Sequence, residues 1–399
     1  MRILYIHQYF KTPEEGGCLR SYHLAKGLTT LGHEVTMITA QNGRSGNKMV
    51  DGIDVRYLRV PYQNRYGFIR RVHAFLRFAY LAKKLIRKLP RYDIAYVMTT
   101  PLTTGLIALF VKRLWGISYY FEVGDLWPEA PVKIGAVNNR FLVNFLYKFE
   151  QKCYAESLGV VALSPAIGHY IEATSSVTEV SVIPNFSDTS YFEPDFQIQH
   201  FTREHPLKIG YFGTFGQANQ LEYLIHVARI SSDRHLPIHF TLMGEGATFN
   251  KIQELSQSLS NVEILSFGNS EMVKELLEKQ HAIYVSFKKL EILNTGSPNK
   301  FFDGLAAGKL IVINFGGWIR NVIEQNECGF YHDPETPEEF CDQMVPFIED
   351  PLKLIHFQKQ SRKLAETYFS KNLQIDRLAY LIDPKRQKHQ NSKRLVPAS

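Results

Sequence analysis

Only four cysteines and three tryptophans occur among 399 residues. Cys18, Cys153, Cys328 and Cys341 form no C-x-x-C pair and show no metal-ligand spacing. That excludes a disulfide-stapled scaffold and a thiolate zinc site, and points to reduced thiols. No uninterrupted apolar run reaches the roughly 20 residues of a membrane-spanning helix. The opening MRILYIHQYF carries no signal-peptide cleavage region and reads directly as a strand. Acids are missing between Arg65 and Arg91. The overall balance, 45% apolar and 21% charged, is ordinary for a globular protein, and the length suits two domains with separate cores. A net charge of +7 suggests an anionic partner without choosing among phosphate, membrane or nucleic acid.

What is present is an alternation of strand and helix. RILYIHQ, HEVTMITA, IDVRYLRV, DIAYVMTT, SYYFEV and LGVVALS read as strands with helices between most of them, the pattern of parallel βαβ units. The turn-rich stretch from Val182 to Pro206 interrupts it, and the pattern then restarts with LKIGYFGTFG. HFTLMGEG, NVEILSFG, HAIYVSF and KLIVINFG follow. Two doubly wound halves are expected, with ligands at the carboxyl ends of the strands. The stretch from Leu352 to Leu381 reads as helical, broken near Asn372.

SPNKFFDGLAAGKLIVINFGG, Ser297 to Gly317, concentrates the signals. Ser297 can cap a helix with Pro298 in its first position, and Gly308 can end it. Asn299 and Asp303 then share one helix face near the electropositive end. Free amides around Asn299 and Lys300 suit a phosphate or diphosphate, and Asp303 suits a ribose diol. GTFGQANQ, with Gly213, Thr214 and Gln217, and MGEG, with Gly244 and Gly246, are two further glycine loops at strand ends. Three such loops in one half make a nucleotide site the stronger reading.

In the first half, Gly16, Gly17 and Arg20 follow the first strand, where backbone can approach a ligand. FEVGDLWPEAP places Asp125, Trp127 and Glu129 at another strand end. Asp125 or Glu129 can meet a sugar hydroxyl or act as a base, and Trp127 can line a pocket. Glu122 can equally pair with a neighbouring basic residue. From Arg65 to Arg91, Phe68, Val72, Phe75, Ala79, Ala82, Ile86 and Leu89 form an apolar stripe. Arg70, Arg77, Lys84, Lys88 and Arg91 fall opposite, which suggests an anionic membrane surface; no binding module for nucleic acid accompanies them.

HQYF with Gly16, Gly17 and Arg20, then GDLWPE, VIPNFSD, the Gly213 loop and SPNKFFDGLAAGK together resemble the family 4 glycosyltransferases, retaining enzymes of the GT-B fold. Within that family the likeness is to bacterial surface-polysaccharide members of the L-fucosamine transferase type. The resemblance implies an α/β fold of two Rossmann-like doubly wound domains facing a central cleft. It implies an acceptor-binding domain over 1–184, a linker over 185–206 and a nucleotide-sugar domain over 207–364. A helix over 365–382 would cross back to the first domain, ahead of a disordered basic tail over 383–399.

By the same resemblance, Gly16 and Gly17 approach the donor, while Gly213, Thr214, Gln217, Gly244 and Gly246 lie near its phosphates. Phe267 and Gly268 lie near the base, and Asp303 holds the ribose. Ser297, Pro298, Asn299 and Lys300 surround the diphosphate, and Arg20, Trp127 and Glu129 stand on the acceptor side. Asp125 and Lys300 are the implied catalytic residues. Thr295 and Asp303 take the two places where the family often has glutamates, and Gly124 stands where a histidine is usual.

The implied reaction uses a UDP-sugar and a lipid-linked saccharide acceptor, needs no metal, and runs in the cytoplasm on the inner membrane. Two other outcomes fit the departures: a nucleotide-sugar 2-epimerase of the same fold, and a non-catalytic partner subunit.

Overall fold

Strands buried on both faces need apolar residues at successive positions, and both halves of the chain supply them. A computed structural model gives the structure and describes residues 1–17, 19–63, 66–176 and 179–385. Cys18, Arg65 and the basic residues of 386–399 lie outside the described residues. The chain divides into two units. The first holds Met1–Pro184, Thr295–Ser297 and the stretch from Asn372; the second holds Asn185–Asn294 and Pro298–Lys371.

In the first unit, strands β1 (Arg2–Ile6), β2 (Glu34–Gln41), β3 (Gly46–Val50) and β4 (Ile53–Arg59) precede β5 (Ile94–Met98), β6 (Tyr119–Val123), β7 (Gly159–Ala162) and β8 (Val180–Val182). They form one sheet in the order β3-β4-β2-β1-β5-β6-β7-β8. All neighbours are parallel except β3 and β4. Ile3 of β1 aligns with Val35 on one side and Ile94 on the other, and all three are buried. Helices α1 (Arg20–Thr30), α2 (Phe68–Ile86), α3 (Gly105–Trp115), α4 (Glu129–Lys133), α5 (Arg140–Ala155) and α6 (Pro165–Thr174) connect the strands.

The second unit repeats the plan with β9 (Leu207–Phe212), β10 (Ile238–Gly244), β11 (Val262–Ser266), β12 (Ala282–Val285), β13 (Leu310–Ile313) and β14 (Gly329–Tyr331). Its sheet runs β11-β10-β9-β12-β13-β14 and is parallel throughout. Its helices are α7 (Glu222–Asp233), α8 (Phe249–Ser256), α9 (Ser270–Glu278), α10 (Asn299–Ala306), α11 (Trp318–Gln325), α12 (Glu338–Glu349) and α13 (Pro351–Leu364). The last helix, α14 (Lys371–Ile382), follows a single π turn at Ala365–Phe369, so the expected break falls at Ser370. Tyr120 of β6 donates its hydroxyl to Leu381 O (2.9 Å), which ties α14 into the first unit.

The order of strands also locates the places where chain direction reverses. In the second unit the chain moves from β9 out to β11 and then jumps back to β12 on the other side of β9. The connections that leave β9 and β12 therefore run to opposite sides of the sheet, and the carboxyl ends of these strands mark the usual ligand crevice of such sheets. No helix among the described residues is long and apolar enough to cross a membrane.

Two expectations about helices need correction. Helix α10 starts at Asn299, with Pro298 extended as its N-cap and no side-chain cap; Ser297 lies one residue further out. Helix α2 spans Phe68–Ile86 rather than the whole basic segment, so Lys88 and Arg91 lie beyond its end. Its apolar side is also less regular than the spacing suggests. Phe75, Ala79, Ala82 and Ile86 are buried, but Phe68 is largely exposed, as are Ile69, Leu76 and Tyr80 among the basic residues.

Candidate functional site

The crevice of the second unit is built from backbone contact between its glycine loops. Gly213 N bonds Met243 O (2.9 Å) and Phe215 N bonds Glu245 O (2.8 Å). A Cβ on Gly244 would stand 1.8 Å from Gly213 O, and one on Gly246 would stand 2.4 Å from Phe215 O. Glycine is required at both positions because no side chain fits between the loops. The loop after β9 is also knitted to the loop after β12. Ser286 Oγ donates to Asn219 O (2.6 Å), and Lys288 N bonds Ala218 O (2.8 Å). Thr214 and Gln217 are left exposed on the rim.

Lys300 enters this cluster from the first turn of α10. Its ammonium donates to the Tyr211 hydroxyl (2.8 Å) and lies 4.0 Å from the centre of the Tyr211 ring. Tyr211 is buried in β9 and donates in turn to Thr214 O (2.7 Å). Lys300 Nζ also stands 3.2 Å from where a Gly213 Cβ would sit, so it lies directly against that loop. Among the described residues no carboxylate is within ion-pair distance of it. Burial without a counter-charge pushes its pKa down to about 7.

One turn further along α10, burial and the nearby Asp188 carboxylate push the Asp303 carboxyl up to about 7. Asp188 itself is paired with Lys371 and takes a hydrogen bond from Ser190 Oγ (2.7 Å). Phe301 N bonds Pro298 O (3.1 Å), so the Asn299 and Lys300 amides stand ahead of the first closed turn. Asn299 is exposed, and Thr295 and Ser297 are half-buried. Phe267 offers an exposed ring beyond β11, and Gly268 is crowded by Met272 and Met243.

The first unit presents two loops. Gly16 and Gly17 follow β1 with φ of 65° and 97°, the left-handed region that favours glycine. Asp125 is exposed after β6 and accepts from Thr100 Oγ1 (3.3 Å); Trp127 beside it is half-buried. Glu129 accepts from the Tyr147 hydroxyl, and its other oxygen lies 3.7 Å from Lys133 Nζ.

Arg20 does not stand on an acceptor surface. It is buried, with Nε donating to Glu122 Oε1 (2.9 Å) and Nη2 to Oε2 (3.2 Å). It also donates to the carbonyls of Pro184 (2.6 Å) and Ile183 (2.8 Å), while the Tyr96 hydroxyl donates to Glu122. The reason is the opposite charge of Glu122 facing α1 from inside the sheet. A charge this deeply buried persists only when fully paired, and the pairing of Glu122 with a basic residue is what the structure shows. His7 lies in the same core, its Nδ1 2.7 Å from Ser21 Oγ. Burial and Arg20 hold its pKa down to about 3, so the ring is neutral.

Sequence reasoning missed Tyr211 and Asp188. A tyrosine in an otherwise aliphatic strand, close before a glycine loop, is a signal for the first. Asp188 closes the VIPNFSD motif, where sequence reasoning gave it no role of its own. Among the described residues, no group of three or more His, Cys, Asp or Glu side chains is placed to hold a metal ion.

Residues 16–185 match the glycosyl transferase 4-like domain, and residues 206–350 match the glycosyl transferases group 1 domain. The chain belongs to the GT-B glycosyltransferases. Solved structures repeat the fold. Sucrose-phosphate synthase from Thermosynechococcus elongatus is 15% identical with a TM-score of 0.74, over 96% of this chain and 100% of that one. HepE from Anabaena, solved with UDP and glucose, is 15% identical with a TM-score of 0.65, over 96% and 100%. WaaG, a glycosyltransferase involved in lipopolysaccharide biosynthesis, is 14% identical with a TM-score of 0.66, over 96% and 100%. No curated protein matches the chain. At these identities the likeness concerns the GT-B fold, which is α/β with two Rossmann-like domains; the sugar, its carrier and the acceptor are matters for the site itself.

Proposed function

We propose that this GT-B glycosyltransferase moves a sugar, with retention, from a UDP-linked donor to a lipid-linked saccharide in bacterial surface-polysaccharide synthesis. The observation that carries the donor reading is Lys300: a half-buried ammonium with no carboxylate partner among the described residues, held against the Gly213 loop at the crevice of the second sheet. A diphosphate supplies the anion that this cation lacks. The Asn299 and Lys300 amides add the dipole of α10, and Asp303 stands one turn on, where a ribose diol can donate to it. UDP bound to HepE is consistent with this donor class.

The reaction breaks the bond between the anomeric carbon and the diphosphate oxygen. Negative charge grows on the leaving diphosphate, and Lys300 with the α10 amides stabilises it where it develops. A leaving phosphate oxygen takes the proton of the acceptor hydroxyl as that hydroxyl attacks the same face, which preserves the configuration without a covalent intermediate. Asp125 orients the acceptor. Because Lys300 and the amides meet the charge, the scheme requires no metal. The exposed cations of α2, with Arg70, Arg77 and Lys84 on the helix and Lys88 and Arg91 just beyond it, hold the enzyme at an anionic membrane where its acceptor lies.

Calorimetric titration of UDP into wild type and Asp303→Ala tests the donor site. Asp303→Ala is expected to weaken UDP binding with the melting temperature retained; equal affinity would remove the ribose role. Incubation with donor alone separates transfer from epimerisation, since rapid turnover without acceptor would favour the epimerase. Failure of wild type to bind UDP would favour a non-catalytic subunit.

A further inference from the structure

Helix α5 is anchored at one end and unpartnered at the other. Its C-terminal half is packed into the first unit: Cys153 and Tyr154 are buried, and Tyr119 donates its hydroxyl to Cys153 O (2.6 Å). The first two turns project outward. Phe141 is 87% exposed and Phe145 64%, with Leu142 beside them and Ile134, in the preceding loop, 56% exposed. The Asn139 side chain accepts from Leu142 N (3.0 Å) and fixes the start of the helix. Arg140 and Lys148 flank this patch, Lys133 beside it is 3.7 Å from Glu129, and no acid occurs from Ala130 to Phe149. A monomer seldom exposes bulky apolar side chains so close together without a partner.

The topology says which way the patch faces. The crossovers from β4 to β5, β5 to β6 and β6 to β7 all step in one direction across the sheet. Right-handed crossovers of that kind place α2, α3 and α5 on one face, and α3 packs against both of the others. Both α2 and α5 return the chain from the carboxyl end of a parallel strand. Their first turns therefore lie at the edge of the sheet that carries the Gly16 and Asp125 loops. The first turn of α2 is likewise apolar and basic, with Phe68 and Ile69 exposed beside Arg70.

We propose that Ile134, Phe141, Leu142 and Phe145 insert into the boundary between headgroups and acyl chains of an anionic bilayer, forming a hydrophobic anchor separate from the electrostatic contact of α2. The proposal takes its partner from the membrane reading of α2. Charge chooses the bilayer over a second copy of the chain. In a two-fold contact through this patch, Arg140 and Lys148 of one copy would meet the same cations of the other, whereas anionic headgroups neutralise them. The first turns of α2 and α5 would then meet the lipid on the side of the sheet that carries the Asp125 loop, near where the acceptor's saccharide emerges.

Salt separates the two contacts, because it screens charges and leaves apolar insertion in place. Flotation is measured with phosphatidylethanolamine–phosphatidylglycerol vesicles at low and high salt. Wild type is expected to keep a salt-resistant bound fraction. The double variant Phe141→Ser/Phe145→Ser is expected to lose that fraction by on the order of tenfold or more while keeping low-salt binding and UDP affinity. Reversal of Arg70, Arg77 and Lys84 to glutamate removes the electrostatic component and leaves α5 insertion measurable at high salt. Unchanged high-salt binding of the Phe141→Ser/Phe145→Ser variant would overturn the anchor while leaving α2 intact. A wild-type dimer that this variant converts to monomer would overturn it in favour of self-association. No vesicle binding by wild type under either condition would overturn both contacts.

Discussion

Replacing Lys300 with methionine keeps a chain of similar length over the Tyr211 ring and removes the charge, so the effect on nucleotide binding can be worked out. With its pKa pushed down to about 7, Lys300 is about half protonated at pH 7 in the free protein. Roughly one molecule in ten carries the charge at pH 8. A diphosphate binds the ammonium form and draws a proton onto Lys300. UDP affinity should therefore fall as pH rises, approaching about tenfold, or about 1.4 kcal/mol, per pH unit above 7.

Asp303 acts with the opposite sign. Its carboxyl is pushed up to about 7, and ribose hydroxyls favour the ionised form, so affinity also falls as pH drops below 7. The two limbs give a bell centred near pH 7. Since phosphate itself titrates near pH 6, uridine is the cleaner probe of the acid limb. Titration calorimetry across this range is the assay. Lys300→Met should bind UDP about ten- to a hundredfold more weakly at pH 7, the loss of a charge-assisted contact of about 1.5–3 kcal/mol. It should also show a flat alkaline limb. An alkaline limb that survives in Lys300→Met, or one absent from wild type, would refute the reasoning.

Three other outcomes are expected. Arg20→Met leaves Glu122 buried without its guanidinium and should destabilise the protein by about 3–5 kcal/mol in denaturant unfolding, whereas a loss under about 1 kcal/mol would mean that Glu122 finds another partner. Gly244→Ala places a Cβ 1.8 Å from Gly213 O, so the two loops must separate; UDP binding should be lost, and a variant with wild-type affinity would show that this packing is dispensable. Transfer activity should persist after EDTA treatment, and a loss restored by a divalent ion would assign a metal to the reaction.

The sequence was most legible where local chemistry decides structure. Continuous apolar runs such as LIVI form buried parallel strands, and Gly308, with φ of 63°, closes off α10 as a left-handed stop should. Strand β3 was not legible, because GNKMV is largely exposed at the sheet edge and shows no apolar run. The three-residue strands β8 and β14 are too short to carry a pattern. Side-chain partners across the fold were harder still. Arg20 reads as a surface cation until Glu122, 102 residues away in sequence, is seen beside it. Likewise, Lys300 was legible as a site residue, but its packing against Tyr211 and the Gly213 loop was not. The exposure of Phe141 and Phe145 is equally invisible in a pattern of helical spacing, since that pattern does not say which face is covered.

The most direct test is a crystal structure of the enzyme with UDP. The expected result is a diphosphate within hydrogen-bonding distance of Lys300 Nζ and the first amides of α10, with the ribose hydroxyls on Asp303. UDP bound elsewhere, with this crevice empty, would contradict it.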